Sequence, residues 1–130
     1  MSPRPPKPTD AELAILRVLW TRGPSTVRHV NEALSGDSRE IGYTTTLKLM
    51  QIMAEKGLVT RDESARTHIY AARWSQGLTQ RQLVSDLMDR AFGGSAAALV
   101  MQALSAQPAS SEEIEGIRKL IDEHRKAGRR

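Results

Sequence analysis

The stretch "GYTTTLKLMQIMAEKGLV", Gly42 to Val59, decides how this chain is read. Three consecutive threonines open a helix, although β-branched residues are poor helix formers. A helix needed only for packing would carry Ala, Leu or Glu there. Threonine instead sets a short hydroxyl and a methyl beside the free N–H groups of a first turn. Stepping about 100° per residue from Thr44 gathers Thr46, Leu49, Met50, Met53 and Ala54 on one side, the expected buried face. Thr44, Lys48, Gln51 and Glu55 fall opposite, with Thr45, Ile52 and Lys56 along a border. The exposed face therefore runs from hydroxyls and N–H groups, through a lysine, to an acid at the far end. That order suits a helix that enters a DNA major groove with its N-terminus first.

Working outward, "PTDAE" supplies Thr9 as a helix cap with Glu12 three residues on, and Leu13, Ile15, Leu16, Leu19 and Trp20 follow at helical spacing. "RGP" at Arg22–Pro24 stops this helix. Ser25 is the expected cap of a second helix, with Val27, Val30 and Leu34 on one face and Gly36 at its end. Residues 37–42 form a polar link to the third helix. After Gly57, "LVTRDE" and "RTHIYA" alternate β-branched and aromatic residues around Ser64-Ala65 and predict a two-stranded hairpin. Three helices followed by a hairpin is the chain order of a winged helix-turn-helix.

Beyond a link around Ser75–Gly77 the pattern is helical throughout. "TQRQ" predicts a capping box from Thr79 to Gln82, followed by a stripe of Leu83, Val84, Leu87, Met88, Ala91 and Phe92. Gly93-Gly94 breaks it. A fifth helix is expected from Ser95 to Ala106, and a sixth from a Ser110/Glu113 capping box, with Ile114, Ile117, Leu120 and Ile121 in its stripe. Three short helices make a thin unit with more apolar residues than it can hide. A second copy is the simplest cover. Leu83, Leu87, Met88, Phe92, Leu99, Ile114, Ile117, Leu120 and Ile121 are the expected dimerisation residues.

The division expected from the sequence is a basic, proline-rich disordered arm over 1–8, a winged helix over 9–76, a helical dimerisation region over 77–127 and a basic tail over 128–130. The fold class is mainly α with a small β-hairpin wing. Net charge is +4 in 130 residues, with 11 Lys/Arg against 8 Asp/Glu up to Gln76 and 8 against 7 after it. The basic excess thus sits with the threonine helix and suits an anionic partner. Cysteine is absent, which excludes disulfides and thiolate metal sites. The arm lacks the apolar core of a signal peptide, and no apolar run approaches the roughly 20 residues that cross a bilayer, so a cytoplasmic protein is expected.

Docked on double-stranded DNA, Thr44, Thr45 and Lys48 are the expected base contacts. Ser25, Thr26, Arg28, Tyr43 and Arg66 are the expected backbone contacts, Arg66 from the tip of the wing. No nucleophile elbow and no phosphate loop occurs. His29, His68 and His124 show no ligand spacing, so no catalytic residue, metal or cofactor is expected. The alternative function is a winged-helix module that binds protein, and Lys48, Arg28 and Arg66 weigh against it.

Those same stretches carry a resemblance. "PTDAELAILRVLW", "YTTTLKLMQIMAEKGLV" with "RDESARTHIY", "FGGSAAALVMQAL" and "SSEEIEGIRKLI" resemble the penicillinase-repressor family of BlaI, MecI and CopY type. The resemblance implies a cytoplasmic homodimer that represses transcription from inverted-repeat operators. In β-lactam-responsive members it also implies a membrane-bound sensor metalloprotease that triggers cleavage in the dimerisation region, here at Met101, Gln102 and Ala103. Three departures stand out. Gln102-Ala103 replaces the Asn-Phe of the cleaved members, the cysteine cluster of copper-responsive members is missing, and Ile52 stands where many members have Arg.

Overall fold

A computed structural model describes residues 4–36 and 42–128. Among these, six helices and one hairpin follow the order α1 (Asp10–Arg22), α2 (Val27–Ser35), α3 (Tyr43–Lys56), β1 (Val59–Asp62), β2 (Ile69–Ala72), α4 (Gln76–Ala91), α5 (Ala96–Ala106) and α6 (Ser111–Ala127). Two compact units divide the chain, Met1–Asp86 and Leu87–Arg130. The division falls inside α4, after its first turns.

Local chemistry explains most boundaries. Glu12 N–H donates to the Thr9 hydroxyl at 3.2 Å and Thr9 N–H donates to the Glu12 carboxylate at 2.9 Å, the reciprocal box read from the sequence. The Ser110/Glu113 box is also present, and Ser95 caps α5 through the N–H of Ala98. Two expected caps are corrected. α2 is capped by Thr26, whose hydroxyl accepts from His29 N–H at 3.1 Å. Ser25 lies one residue outside and exchanges two backbone hydrogen bonds with Tyr70, at 2.9 and 2.8 Å, so it is extended chain laid beside β2. α4 starts at Gln76, with the Ser75 hydroxyl accepting from Leu78 N–H at 3.2 Å. Thr79 is therefore a buried residue within the helix rather than its cap.

The hairpin pairs Val59 with Ala72 and Arg61 with Tyr70 in antiparallel register. Its connection is longer than Ser64-Ala65: residues 63–68 form the tip, and Arg66, Thr67 and His68 belong to this loop rather than to a strand. The Asp62 carboxylate accepts from Ser64 N–H at 2.9 Å and starts the turn. The Ser64 hydroxyl first, and then this N–H, lower the Asp62 pKa.

One core holds the first unit together. Ile15, Leu16 and Leu19 of α1 meet Val27 and Val30 of α2, Met50 and Met53 of α3, then Leu58, Val59 and Tyr70. Each side chain of this size contributes roughly 1.5–3 kcal/mol on full burial. The arm is corrected as well. Residues 4–9 take no regular structure, yet Pro5 and Pro8 are buried, and Arg4 shares a shallow recess with Leu78, Arg81, Gln82 and Ser85 of α4. Proline's fixed φ lets an extended segment pack at little entropic cost, which a reading from composition alone does not weigh.

The second unit is different. α5 and α6 contain no buried residue, and Leu87, Met101, Leu104, Ile114, Leu120 and Ile121 are all exposed. Gly93 and Gly94, at φ 56° and 81°, supply the left-handed turn between α4 and α5. The polar link at residues 37–41 and the tail at 129–130 lie outside the described residues.

Candidate nucleic-acid interface

α3 presents the faces predicted for it. Thr46, Met50 and Met53 are buried, whereas Thr44, Thr45, Lys48, Gln51 and Glu55 are exposed. The three threonines thus divide in role. Thr46 is fully buried: its hydroxyl accepts from Asn31 Nδ2 at 3.0 Å, fastening α3 to α2, and lies 3.4 Å from the Gly42 carbonyl. Thr44 and Thr45 keep their side chains on the surface. The cap of α3 is Gly42, which gives no side-chain hydrogen bond. Gly42 itself has no side chain to offer the first-turn N–H groups of α3.

The opposite end of α3 is fixed by three contacts. Glu12 is buried on α1, and its carboxylate takes both 3.0 and 2.9 Å hydrogen bonds from Lys56 Nζ. Burial is the largest influence on Glu12 and opposes ionisation. The Thr9 backbone N–H and the Lys56 ammonium outweigh it together, and the pKa lies below the ordinary glutamate value. Gly57 ends the helix at φ 82°, and its carbonyl accepts from Trp74 Nε1 at 2.9 Å. Trp74 in turn accepts, through its own carbonyl, from Trp20 Nε1 at 3.0 Å. A Cβ at Gly57 would meet the Arg73 guanidinium at 2.9 Å. That guanidinium rests over the Trp74 ring, 5.1 Å from its centroid.

Beside α3 lies a cleft of about 670 Å³, walled by α2, α3 and the hairpin. Its lining brings together Thr26, Arg28 and Tyr43 with Arg66 from the wing, four of the five expected backbone contacts. It also holds Gln51, from the exposed face read for α3, and His29, Arg61, Thr67 and His68, which the sequence reading had not placed at the site. Among the described residues three arginines and two histidines line it, and no acid does. Ser25 is the exception among the expected contacts. It is buried and its hydroxyl donates to the Gly23 carbonyl at 2.9 Å, so it offers nothing outward. Thr44, Thr45 and Lys48 stand on the surface of α3 rather than inside the cleft.

Arg61 has a defined setting. Interaction with Tyr70, its cross-strand neighbour, does most to raise the guanidinium pKa; burial opposes it, and the Glu63 charge adds to the rise. Its Nη2 sits 2.6 Å from the Glu63 carboxylate. Strand alternation was the available signal: Val59 points inward, so Arg61, two residues on, shares its face and turns toward α3.

Helices α1–α3 with the hairpin form a winged helix-turn-helix, and its outer face carries a basic cleft lined by three arginines. The chain belongs to the penicillinase repressor family, which it matches over residues 8–123. It is similar to the transcriptional regulator BlaI of Mycobacterium tuberculosis, at 44% identity over 63 residues, 48% of this chain and 45% of that protein. The chain thus spans about half the length of that relative. It is similar to the penicillinase repressor of Bacillus licheniformis at 22% identity over 92% of this chain and 93% of that one. Among solved structures, a complex structure of hsRosR-S4 shares the fold, with a TM-score of 0.53 and 19% identity over 92% of this chain and 91% of that chain. Among the described residues no group of His, Asp and Glu could hold a metal ion, and no helix is long and apolar enough to cross a membrane.

Proposed function

We propose that this protein is a cytoplasmic, homodimeric transcriptional repressor that occupies inverted-repeat operators on double-stranded DNA. The cleft of three arginines and two histidines beside the exposed threonines of α3 carries the reading. Phosphates supply most of the affinity of such an interface, and arginines are suited to hold them. Thr44, Thr45 and Lys48 read base edges in the major groove, where hydroxyls donate or accept and threonine methyls meet thymine. Thr26, Arg28, Tyr43 and Arg66 hold the backbone, with Arg66 on the wing.

Dimerisation follows from the exposed apolar residues of the second unit. Leu87, Ile114, Leu120 and Ile121 are exposed, while Leu83, Met88, Phe92, Leu99 and Ile117 are half-buried. A second copy covers them and sets two recognition helices about one helical turn of DNA apart. Release would follow cleavage by a sensor metalloprotease at Met101-Gln102-Ala103. All three are exposed within α5, which must open locally before its backbone can be cut. Full-length protein persisting in induced cells would remove this part of the reading.

Fluorescence anisotropy tests the DNA reading, using duplexes from the protein's own upstream region and a random duplex of equal length. Preference for an inverted repeat by about 10³-fold or more, weakening steeply with salt, is the expected result. Equal and weak binding to both duplexes would favour a winged helix whose partner is a protein.

A further inference from the structure

This inference rests on the DNA reading above and names a residue of the same face. A duplex with α3 in its major groove and residues 63–68 in the flanking minor groove must carry one sugar–phosphate strand between the two, since that strand separates the grooves. The space between α3 and the hairpin is the basic cleft. Arg61 lines it together with Gln51, and the same pair lines a second recess of about 350 Å³ with Ala54 and Glu55 further along α3. Arg61 therefore stands between the recognition helix and the wing, in the path of that strand.

We propose that Arg61 binds a DNA phosphate and that Glu63 occupies its guanidinium in the free protein as an internal competitor for that phosphate. Carboxylate and phosphate engage a guanidinium through the same forked donors, so the two anions exclude each other at one edge of the group. Glu63 sits on the loop with about half of its side chain in solvent, and its 2.6 Å contact is a surface ion pair of the weakly held kind. It can swing away. Tyr70, buried and paired with Arg61 across the hairpin, stays in place while the anion is exchanged. A phosphate contact positions the protein but reads no sequence. Arg61 therefore adds affinity for any duplex, and Glu63 holds that affinity down.

The test is anisotropy with operator and random duplexes over a range of salt, for wild type, Arg61→Gln, Glu63→Gln and the double variant. Arg61→Gln should weaken both duplexes by a similar factor, about tenfold, and make the slope of log K against log salt shallower by about 0.9. Glu63→Gln should tighten both a few-fold, and the gain should vanish in the double variant. Arg61→Lys keeps the charge and should keep the slope, which separates a lost charge from a damaged fold. Wild-type affinity and slope in Arg61→Gln, a loss confined to the operator, or a slope lost in Arg61→Lys as well would each overturn the assignment. A Glu63→Gln protein that binds no tighter would overturn the competitor role. If wild type bound neither duplex, the DNA reading itself would fall, and this proposal with it.

Discussion

The two units of this chain treat apolar residues in opposite ways. In the first, ten hydrophobic residues from α1, α2, α3 and the hairpin form one buried cluster. In the second, α5 and α6 bury nothing, and Met101 and Leu120 are 67% and 60% exposed. The contrast assigns separate work to each. The first unit closes its own core and, on the proposed reading, turns its polar surface to an anionic partner. The second leaves its apolar side chains exposed, and on the same reading a second copy covers them. Helices draw on tertiary packing for most of their stability, so the proposed dimer would link folding and association in this half.

The largest effect that would break this division concerns DNA. Reversing Lys48 and Arg66 together to Glu should reduce operator affinity on the order of 10³-fold by anisotropy, since phosphate attraction becomes repulsion at two points. The same variant should sediment as wild type does. A shifted association state would mean that the first unit also contributes to the dimer. Next in size, Leu16→Ala should cost about 2–5 kcal/mol in denaturant unfolding, with a midpoint shift independent of protein concentration. Leu120→Glu should instead weaken the dimer by roughly 2 kcal/mol, about thirtyfold in its Kd, and make the melting temperature depend more strongly on concentration. Equal concentration dependence in both variants would erase the contrast.

A smaller effect sharpens it. Glu12→Gln should cost about 1–3 kcal/mol at neutral pH, discounted toward the low end because Lys56 is partly in solvent. Glu12 has a lowered pKa in the folded state, so its contribution is fully present above the unfolded value of about 4.3 and is lost as pH falls through the folded one. The gap between wild type and Glu12→Gln should therefore narrow on acidification below about pH 4, measured by denaturant unfolding across pH.

Much of this was legible in the sequence because its causes are local. The Thr9/Glu12 and Ser110/Glu113 boxes act over three residues, and the periodicity of α3 needs no distant partner, so caps and faces could be read directly. What misled was long-range. Ser25 is as good a cap as Thr26 by type, but Tyr70, far along the chain, holds its backbone extended and passes the role to its neighbour. Thr79 and Ser75 are rivals of the same kind, decided by where α4 begins. Pro5 and Pro8 looked like an arm because composition alone does not say what an extended segment lies against. The exposed positions of Thr44, Thr45 and Lys48 on α3 and of Arg66 at the wing tip were legible. His29, Arg61 and His68 were not, because three separate elements must meet before their side chains line one cleft.

The account turns on a chain that binds DNA in pairs, and sedimentation equilibrium of the full chain, alone and with an inverted-repeat duplex from its upstream region, measures that most directly. The chain mass is 14.4 kDa. The account predicts about twice that mass for the protein alone at micromolar concentration, and two chains bound to each duplex. A species of single-chain mass, or one chain bound per duplex at saturation, would contradict it.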